Sequence, residues 1–260
     1  MKIGLMLTDS CNFQCKHCMV NSTPELRIAD DSVINKFYKI VRYNKPDTVC
    51  IVGGEPLLFL DKVEEIISNL RDVCSDFLVY SNGTFLLDKD KRERVKALGV
   101  QVRISKTDFH KDFWTDEIES LINESPYWKI EALNRGIKIF PRGRALSNGI
   151  YKDQPCPCSL MTQEYHGRWH NDRFLIMQDG SVNIWCSCMS LELASVFEDD
   201  TITHDLLVER EKKLRGYLLS VNMLHDSMLF MCNEVCNRFR VTKDGIFRDG
   251  ELMESYESLL

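Results

Sequence analysis

The amino-acid sequence predicts an α/β fold, an open or partial barrel of parallel strands followed by a small cysteine-rich domain. In the first half of the chain, short apolar runs alternate with amphipathic segments, as in consecutive right-handed β–α–β units that form a parallel sheet. This alternation stops near Arg144, where a Pro/Cys-rich stretch, a hairpin pattern and a cysteine-flanked tail begin. We therefore expect a barrel core over residues 1–145 and a second domain over residues 146–260.

Five strands and four helices are predicted in the core. The strands are 2–7, 48–52, 77–81, 100–105 and 137–140, and the helices are 31–43, 61–73, 88–98 and 114–124. Helix starts are marked by Asp30-Asp31-Ser32 and by Thr115-Asp116-Glu117. In the second domain, Asp179-Gly180 between apolar runs predicts a hairpin over 174–185, and residues 205–219 predict a helix. Such a sheet is expected to carry its chemistry at the carboxyl ends of the strands.

Composition argues against polyanion-binding, membrane-spanning and exported proteins. A chain of 260 residues with 44% hydrophobic content can bury a large core. Its net charge of −6 argues against a general polyanion-binding surface and disfavours a nucleic-acid partner. The apolar runs are too short to span a bilayer, and the first residues lack the length and cleavage site of a signal peptide. We therefore expect a cytoplasmic protein without a membrane partner.

Eleven cysteines are the outstanding feature of the composition. An odd count in a chain without an export signal points to metal ligands rather than to a disulfide framework. Nine of the eleven fall into close groups. Cys50 and Cys74 stand alone in apolar surroundings, and we expect both to be small core residues.

The first group, Cys11, Cys15 and Cys18, directly follows the first predicted strand. Three thiolates on one loop can ligate three irons of a cubane cluster and leave the fourth iron open. A zinc site with His17 as fourth ligand is the alternative. Because His17 is wedged between two ligands, the spacing favours iron–sulfur.

This cysteine spacing resembles the signature of the radical S-adenosylmethionine (SAM) superfamily, and further motifs agree in order over residues 3–145. Gly53-Gly54-Glu55-Pro56 resembles the family's motif for the methionine amino group, with Glu55 as an acceptor from the ammonium. Tyr80-Ser81-Asn82-Gly83-Thr84 resembles the ribose-contacting stretch, and Ser105 occupies the place of a further ribose contact. His17 departs from the aromatic or aliphatic residue common at its position. The cofactor-binding residues that the resemblance implies are Phe13, His17, Gly53, Gly54, Glu55, Ser81, Asn82 and Ser105.

The resemblance also implies the cofactors and the reaction. A [4Fe–4S] cluster on Cys11, Cys15 and Cys18 would bind SAM through its open iron. Reductive cleavage of SAM would give a 5′-deoxyadenosyl radical that abstracts hydrogen from the substrate. The electron would come from a donor such as flavodoxin or ferredoxin. No catalytic acid or base can be assigned.

The late cysteines resemble the auxiliary-cluster domain of radical SAM enzymes with a SPASM or shorter twitch extension. The predicted ligands of a second [4Fe–4S] cluster are Cys158, Cys186, Cys232 and Cys236, with Cys156 or Cys188 as substitutes. A zinc knot built from four of these six is the alternative. In Phe140–Ala145, which resembles a linker of these enzymes, Arg142 or Arg144 either faces the substrate pocket or lies on the surface.

A short core with a twitch resembles the aminoglycoside-pathway dehydrogenases of the superfamily, which implies oxidation of a small-molecule substrate through the auxiliary cluster. A peptide- or protein-modifying enzyme that makes a crosslink, thioether or epimer is the main alternative. Because the first strand begins at Lys2, we expect any peptide-recognition domain of such an enzyme to be a separate protein. A nucleotide or tRNA substrate is a third alternative, and a non-catalytic zinc protein is the alternative from another class.

Overall fold

The computed structural model describes most of the chain: residues 1–107, 113–132, 143–150, 173–184, 191–224 and 231–255. The strand predicted at 137–140 lies outside these residues. Eleven strands are named β1 to β11 in chain order: Lys2–Thr8, Thr48–Gly53, Asp76–Ser81, Gln101–Lys106, Trp128–Ala132, Arg173–Ile176, Ser181–Ile184, Ala194–Ser195, Phe239–Val241, Gly245–Arg248 and Glu251–Ser255. The helices α1 to α6 are Asp31–Asn44, Leu60–Leu70, Lys89–Ala97, Asp116–Ile122, Gly143–Ser147 and His204–Ser220.

An eight-stranded sheet organises the molecule, in the order β5-β4-β3-β2-β1-β6-β7-β8. The strands from β5 to β6 in this order run parallel, and β7 and β8 add antiparallel pairs. Helices α1 to α4 connect the successive strands β1 to β5. The predicted α/β partial-barrel fold is confirmed, and its first four strands begin and end within a residue or two of the predicted positions.

The helices pack against one face of this sheet. Helix α1 follows Asp30 and buries one stripe of apolar side chains, Val33, Ile34, Phe37, Ile40 and Val41. This spacing places all of them on the same side of the helix. They join alternate strand residues such as Ile3 and Leu5 in one core. The intervening strand residues, among them Met6 and Cys50, face a cavity on the opposite side of the sheet.

Strand β5 was not predicted, because the sequence analysis assigns no strand to residues 128–132. β5 pairs in parallel with β4 from Val102 to Lys106. Its sequence, Trp-Lys-Ile-Glu-Ala, alternates apolar with charged residues, which is the signal that identifies a half-buried strand. Trp128 is buried, with its ring edge-on to Phe85 at 5.2 Å between centroids. Charged side chains in an edge strand of this kind also discourage pairing with other chains.

The predicted hairpin is confirmed as β6 and β7, which pair antiparallel around Asp179-Gly180. Its first strand has a second partner, because β6 also pairs in parallel with β1, with Arg173 opposite Lys2. The hairpin therefore extends the main sheet on the side of β1 away from β2. The domain boundary at residue 145 stays a prediction.

The C-terminal described residues form helix α6, a π-helical turn at Met231–Cys236 and a small antiparallel sheet of β9, β10 and β11. Helix α6 is capped by Thr203, whose hydroxyl accepts from the backbone N–H of Leu206 at 3.2 Å. Within the described ranges, every helix is too short or too polar to cross a bilayer.

Replacement of Trp128 by Ala tests the place of β5 in the core. Removing this buried ring should lower the free energy of unfolding by about 3–5 kcal/mol, because it loses apolar burial and leaves a cavity beside Phe85. The neighbouring Tyr127 is half exposed, so Tyr127→Ala is the matched control and should change stability by less than about 1 kcal/mol. Urea unfolding measures both, and equal effects of the two substitutions would contradict this placement of β5.

Candidate functional site

A cavity of about 150 Å³ lies at the carboxyl ends of β1 to β4. Its lining includes the three cysteines of the first group and every predicted cofactor-binding residue except Glu55. These are Cys11, Cys15, Cys18, Phe13, His17, Gly53, Gly54, Ser81, Asn82 and Ser105. The lining also contains Val20, Ser22 and Tyr80. Motifs that are up to 94 residues apart in the sequence therefore meet at one place.

The cysteine-bearing loop leaves β1 and returns to it. The backbone N–H of Cys11 donates to the carbonyl of Thr23 at 2.7 Å, and that of Thr23 donates to Asp9 at 3.2 Å. The buried hydroxyl of Ser10 donates to the carbonyl of Arg27 at 3.0 Å and accepts from its N–H at 2.5 Å. The base of the loop is thereby fixed, while Cys15 and Cys18 lie on its outer part.

Hydrogen-bond donors surround the sulfur atoms of the loop. Cys11 Sγ is buried and accepts from the backbone N–H of Phe13 at 3.4 Å and from Asn82 Nδ2 at 3.6 Å. Cys18 Sγ accepts from the N–H of Ser22 at 3.4 Å. Burial, together with negative charge on Cys11 and Cys18, raises the pKa of the Cys15 thiol to about 11. Three anionic thiolates at this spacing repel one another, and a cationic metal centre would relieve that repulsion.

Gly53 and Gly54 are required where the backbone after β2 packs on the backbone after β1. The N–H of Gly54 donates to the carbonyl of Thr8 at 2.8 Å, and the N–H of Glu55 donates to that of Ser10 at 2.8 Å. A Cβ atom at Gly54 would lie 2.1 Å from the carbonyl oxygen of Ser10, and one at Gly53 would lie 2.2 Å from that of Thr8. Only glycine permits this approach. The predicted contact of this motif with the methionine amino group stays a prediction.

The Glu55 carboxylate connects the ends of β2 and β3. It is buried and accepts hydrogen bonds from the backbone N–H of Asn82 at 2.5 Å, the hydroxyl of Ser81 at 2.9 Å and the N–H of Leu57 at 3.1 Å. Burial raises the pKa of Glu55 to about 7, against the opposing effect of these hydrogen bonds. The structure therefore gives this carboxylate a structural role, and its predicted contact with an ammonium group stays a prediction.

Asn82 continues this network to the cysteine loop. Besides its contact with Cys11, its Nδ2 donates to Asn12 Oδ1 at 2.8 Å, and its Oδ1 accepts from the N–H of Thr84 at 2.9 Å. Asn12 Nδ2 donates in turn to Thr84 Oγ1 at 3.0 Å. Asn12 was not among the predicted site residues, although its place between two predicted ligands was a usable signal.

An aromatic cluster adjoins the cavity through Phe13, which lines it. Phe13 lies edge-on to Phe113 at 5.4 Å between ring centroids, and Phe113 lies edge-on to Trp114 at 5.4 Å. These contacts fix the Phe13 ring beside the cysteine loop.

The short helix α5 holds the outer part of the cysteine loop. Arg144 Nε donates to the carbonyl of Cys15 at 3.0 Å, and its Nη1 donates to that of Ser22. Asn148 Nδ2 donates to the carbonyl of Lys16 at 3.0 Å. Gly143 lies so close that a Cβ there would approach the carbonyl oxygen of Cys18 to 2.7 Å. Arg144 was predicted at the substrate or on the surface, and the structure places its guanidinium group on the loop backbone instead. Arg142 lies outside the described residues.

The predicted second cluster falls mostly outside the described part of the chain. Cys156, Cys158, Cys186 and Cys188 are not among the described residues. Cys232 and Cys236 both lie in the π-helical turn Met231–Cys236, and Cys236 is buried. An auxiliary cluster stays a prediction. Cys50 and Cys74 are buried, as predicted for core cysteines.

The residues of the first group fit an iron–sulfur cluster. The three cysteines line one cavity, where they lie on a single loop after β1. A cubane takes each thiolate on a different iron, whereas a zinc ion needs all its ligands around one centre. The surrounding N–H donors and the apolar rings also suit thiolate ligands.

Glu55 should make stability depend on pH. Its pKa lies above that of an ordinary glutamate, so the folded protein holds a proton that the unfolded chain has lost between about pH 4.5 and 7. The stability from this proton is fully present below pH 4.5 and is lost as pH rises through 7. Between wild type and Glu55→Gln, the difference in free energy of unfolding should therefore shift by on the order of 3 kcal/mol over this range. Urea unfolding at several pH values measures it. The exposed Glu209→Gln is the control, and parallel curves for wild type and Glu55→Gln would contradict the expectation.

Arg144→Ala should loosen the cysteine loop. The substitution removes the hydrogen bonds to the carbonyls of Cys15 and Ser22, so amide hydrogen exchange over residues 15–22 of the metal-free protein should accelerate about tenfold or more. Arg144→Lys keeps the charge but cannot span both carbonyls, and should give an intermediate rate. Arg42 makes a similar pair of contacts on the distant surface, to Asp72 and to the carbonyl of Asn69. Arg42→Ala is therefore the control, and equal exchange in Arg144→Ala and wild type would refute the role of Arg144.

Comparison with known proteins gives this site its context. The GTP 3′,8-cyclase of Lactiplantibacillus plantarum is 26% identical over 264 residues, covering 94% of this chain and 76% of that protein. The GTP 3′,8-cyclase of Aquifex aeolicus is 36% identical over 103 residues, covering 37% of this chain and 30% of that protein. The chain spans less than half the length of the first curated relatives that it matches.

Solved structures agree on the fold. The crystal structure of BtrN in complex with AdoMet and 2-DOIA superimposes with a TM-score of 0.53 at 13% sequence identity, covering 84% of this chain and 86% of that one. The model of the Radical SAM superfamily matches residues 5–139, more than half of the sequence. That range contains the cysteine loop and all the other motifs at the strand ends. The chain belongs to the Radical SAM superfamily.

Proposed function

We propose that this protein binds a [4Fe–4S] cluster through Cys11, Cys15 and Cys18, binds SAM beside it, and oxidises a small-molecule substrate with an auxiliary [4Fe–4S] cluster as electron acceptor. Membership of the family implies the first cluster and SAM. The observation that carries the proposal is the single cavity in which the three cysteines meet the motifs from the ends of β2, β3 and β4. The auxiliary cluster rests on the late cysteines of the sequence alone.

The bound cluster and SAM would together supply a 5′-deoxyadenosyl radical that abstracts a hydrogen atom. The chain's own residues build the place where this happens. Gly53 and Gly54 bring the backbone after β2 to the cysteine loop, and Asn82 joins that loop to β3. The Phe13 ring, which lines the cavity and packs on Phe113, would help to keep water away from reactive species. A small electron-transfer protein such as flavodoxin or ferredoxin would deliver the electron.

A second cavity supports a small-molecule substrate. It measures about 350 Å³ and shares Val20, Gly53, Tyr80 and Ser105 with the first. This volume lies within the range for small-ligand sites. A substrate there would adjoin the cofactors directly, as hydrogen abstraction requires.

A nucleotide is the second candidate for the substrate. Three relatives are GTP 3′,8-cyclases, and one of them aligns over 94% of this chain. A nucleotide-like substrate would need no auxiliary oxidation step of the dehydrogenase kind. A peptide substrate remains the other alternative from the sequence.

Iron content tests the two proposed clusters. After anaerobic reconstitution, the wild type should hold about eight irons, and the Cys11/Cys15/Cys18→Ala variant about four. In the EPR spectrum of dithionite-reduced protein, SAM should perturb one signal, and that signal should vanish in this variant. Cys232/Cys236→Ala should also hold about four irons but keep the SAM-sensitive signal.

Cys74→Ala is the matched control, because this cysteine is buried just before the amino end of β3 and belongs to neither predicted ligand set. It should keep the full iron content. About four irons in wild type and none in the triple variant would remove the auxiliary cluster from the proposal. No iron in any protein would contradict the proposed function.

A further inference from the structure

The larger cavity is not uniform along its length. Its carboxyl end, at Gly53 and Ser105, adjoins the cofactor cavity, and Lys2 and Arg173 line it at the amino ends of β1 and β6. Between these ends the wall contains Met6, Val52 and Leu78 and the phenol of Tyr80, which are mostly apolar surfaces. Basic side chains thus occupy the end opposite the cysteines.

Lys2 and Arg173 are direct register partners on neighbouring strands. Neighbouring strands lie about 4.8 Å apart, and paired residues project to the same face of the sheet. Like charges that face each other across neighbouring strands repel and destabilise the sheet. Such an arrangement is favourable when a negative group binds between the two charges.

Among the residues that the structure describes, the carboxylates on the same face make no ion pair with Lys2 or Arg173. Asp76 accepts from the hydroxyl of Thr48 at 2.8 Å and from Gln101 Nε2 at 2.8 Å. Glu131 is paired in register with Ser105, at the other end of the barrel. Over the ranges that the structure describes, neither Lys2 nor Arg173 makes an ion pair or a side-chain hydrogen bond.

Building on the proposed function, we propose that the substrate carries an anionic group, a phosphate or a carboxylate, which Lys2 and Arg173 bind at the amino ends of β1 and β6. Arg173 provides the planar fork that pairs with two oxygens of such a group, and Lys2 adds a point charge. Burial raises the pKa of Tyr80 to about 12. The Tyr80 phenol in the cavity wall therefore stays neutral and adds no negative charge that would compete with the substrate.

This placement also orients the substrate. Strand β1 contains seven residues from Lys2 to Thr8, so its ends lie about 20 Å apart. A substrate held by its anionic end would extend along the cavity and present its far end at Gly53 and Ser105, next to the cofactors.

Isothermal titration of the full-length protein with pyrophosphate, and separately with succinate, tests the inference at low ionic strength. At least one of the two should bind the wild type saturably, and the preferred one identifies the class of anion. Arg173→Gln and Lys2→Gln should each weaken binding about tenfold or more, whereas Arg173→Lys should lose less. Lys89→Gln, on the exposed first turn of α3, is the matched control and should bind as the wild type does.

Circular dichroism shows whether each variant is folded. If Arg173→Gln does not fold, the comparison of Arg173→Lys with the wild type still tests the inference. Release of 5′-deoxyadenosine from SAM by the reduced wild type reports separately on the proposed function. SAM cleavage without binding of either anion would overturn this inference and leave the proposed function in place. Anion binding that depends on Arg173, without SAM cleavage, would contradict the proposed function and leave the anion site in place. Equal weakening in Lys89→Gln would reduce the binding to general charge attraction and would also overturn the inference.

Discussion

The site depends on the contact between two stretches of backbone, the one that leaves β1 and the one that leaves β2. The N–H groups of Gly54 and Glu55 donate to carbonyls of Thr8 and Ser10, and no side chain fits between them. This contact fixes the base of the cysteine loop without the help of any cysteine side chain. Two glycines in sequence are therefore a steric requirement of the fold, as well as a place where a ligand can approach the backbone.

Glu55 transmits this arrangement to the third strand. A buried carboxylate is costly unless donors surround it, and here two backbone N–H groups and one hydroxyl do so. One of these donors is the backbone N–H of Asn82, and the side-chain amide of the same residue contacts Cys11 and Asn12. The ends of β1, β2 and β3 therefore form one connected polar network. Helix α5 completes it from the other side through Arg144. The thiols are held by neighbours on three sides, as a preorganised ligand set requires.

The features that could be predicted from the sequence are those that depend on residues close together in the chain. The strands β1 to β4, the hairpin around Asp179-Gly180 and the motifs at the strand ends all have periodic or turn signals within a few residues. The role of Arg144 could not be predicted, because its partner Cys15 is 129 residues away and hydrogen bonds to backbone leave no pattern in a single sequence. The pairing of Lys2 with Arg173 is hidden for the same reason, since it depends on which side of β1 the strand β6 joins. Strand β5 was missed although its alternation was legible, because the apolar run at 137–140 gave a stronger signal.

A parallel sheet has two chemically different ends, and this protein places different residues at each. The carboxyl ends carry cysteines and glycines that belong to the family motif, which covers residues 5–139. Lys2 and Arg173 fall outside that range, at the amino ends of strands that the motif does not constrain there. The residues that support radical chemistry and those proposed to select the substrate are thus separated by the length of a strand. If the proposal holds, substitutions at the amino ends would change the substrate without disturbing the cysteine loop, which would give a physical reason why proteins with one such core act on different substrates.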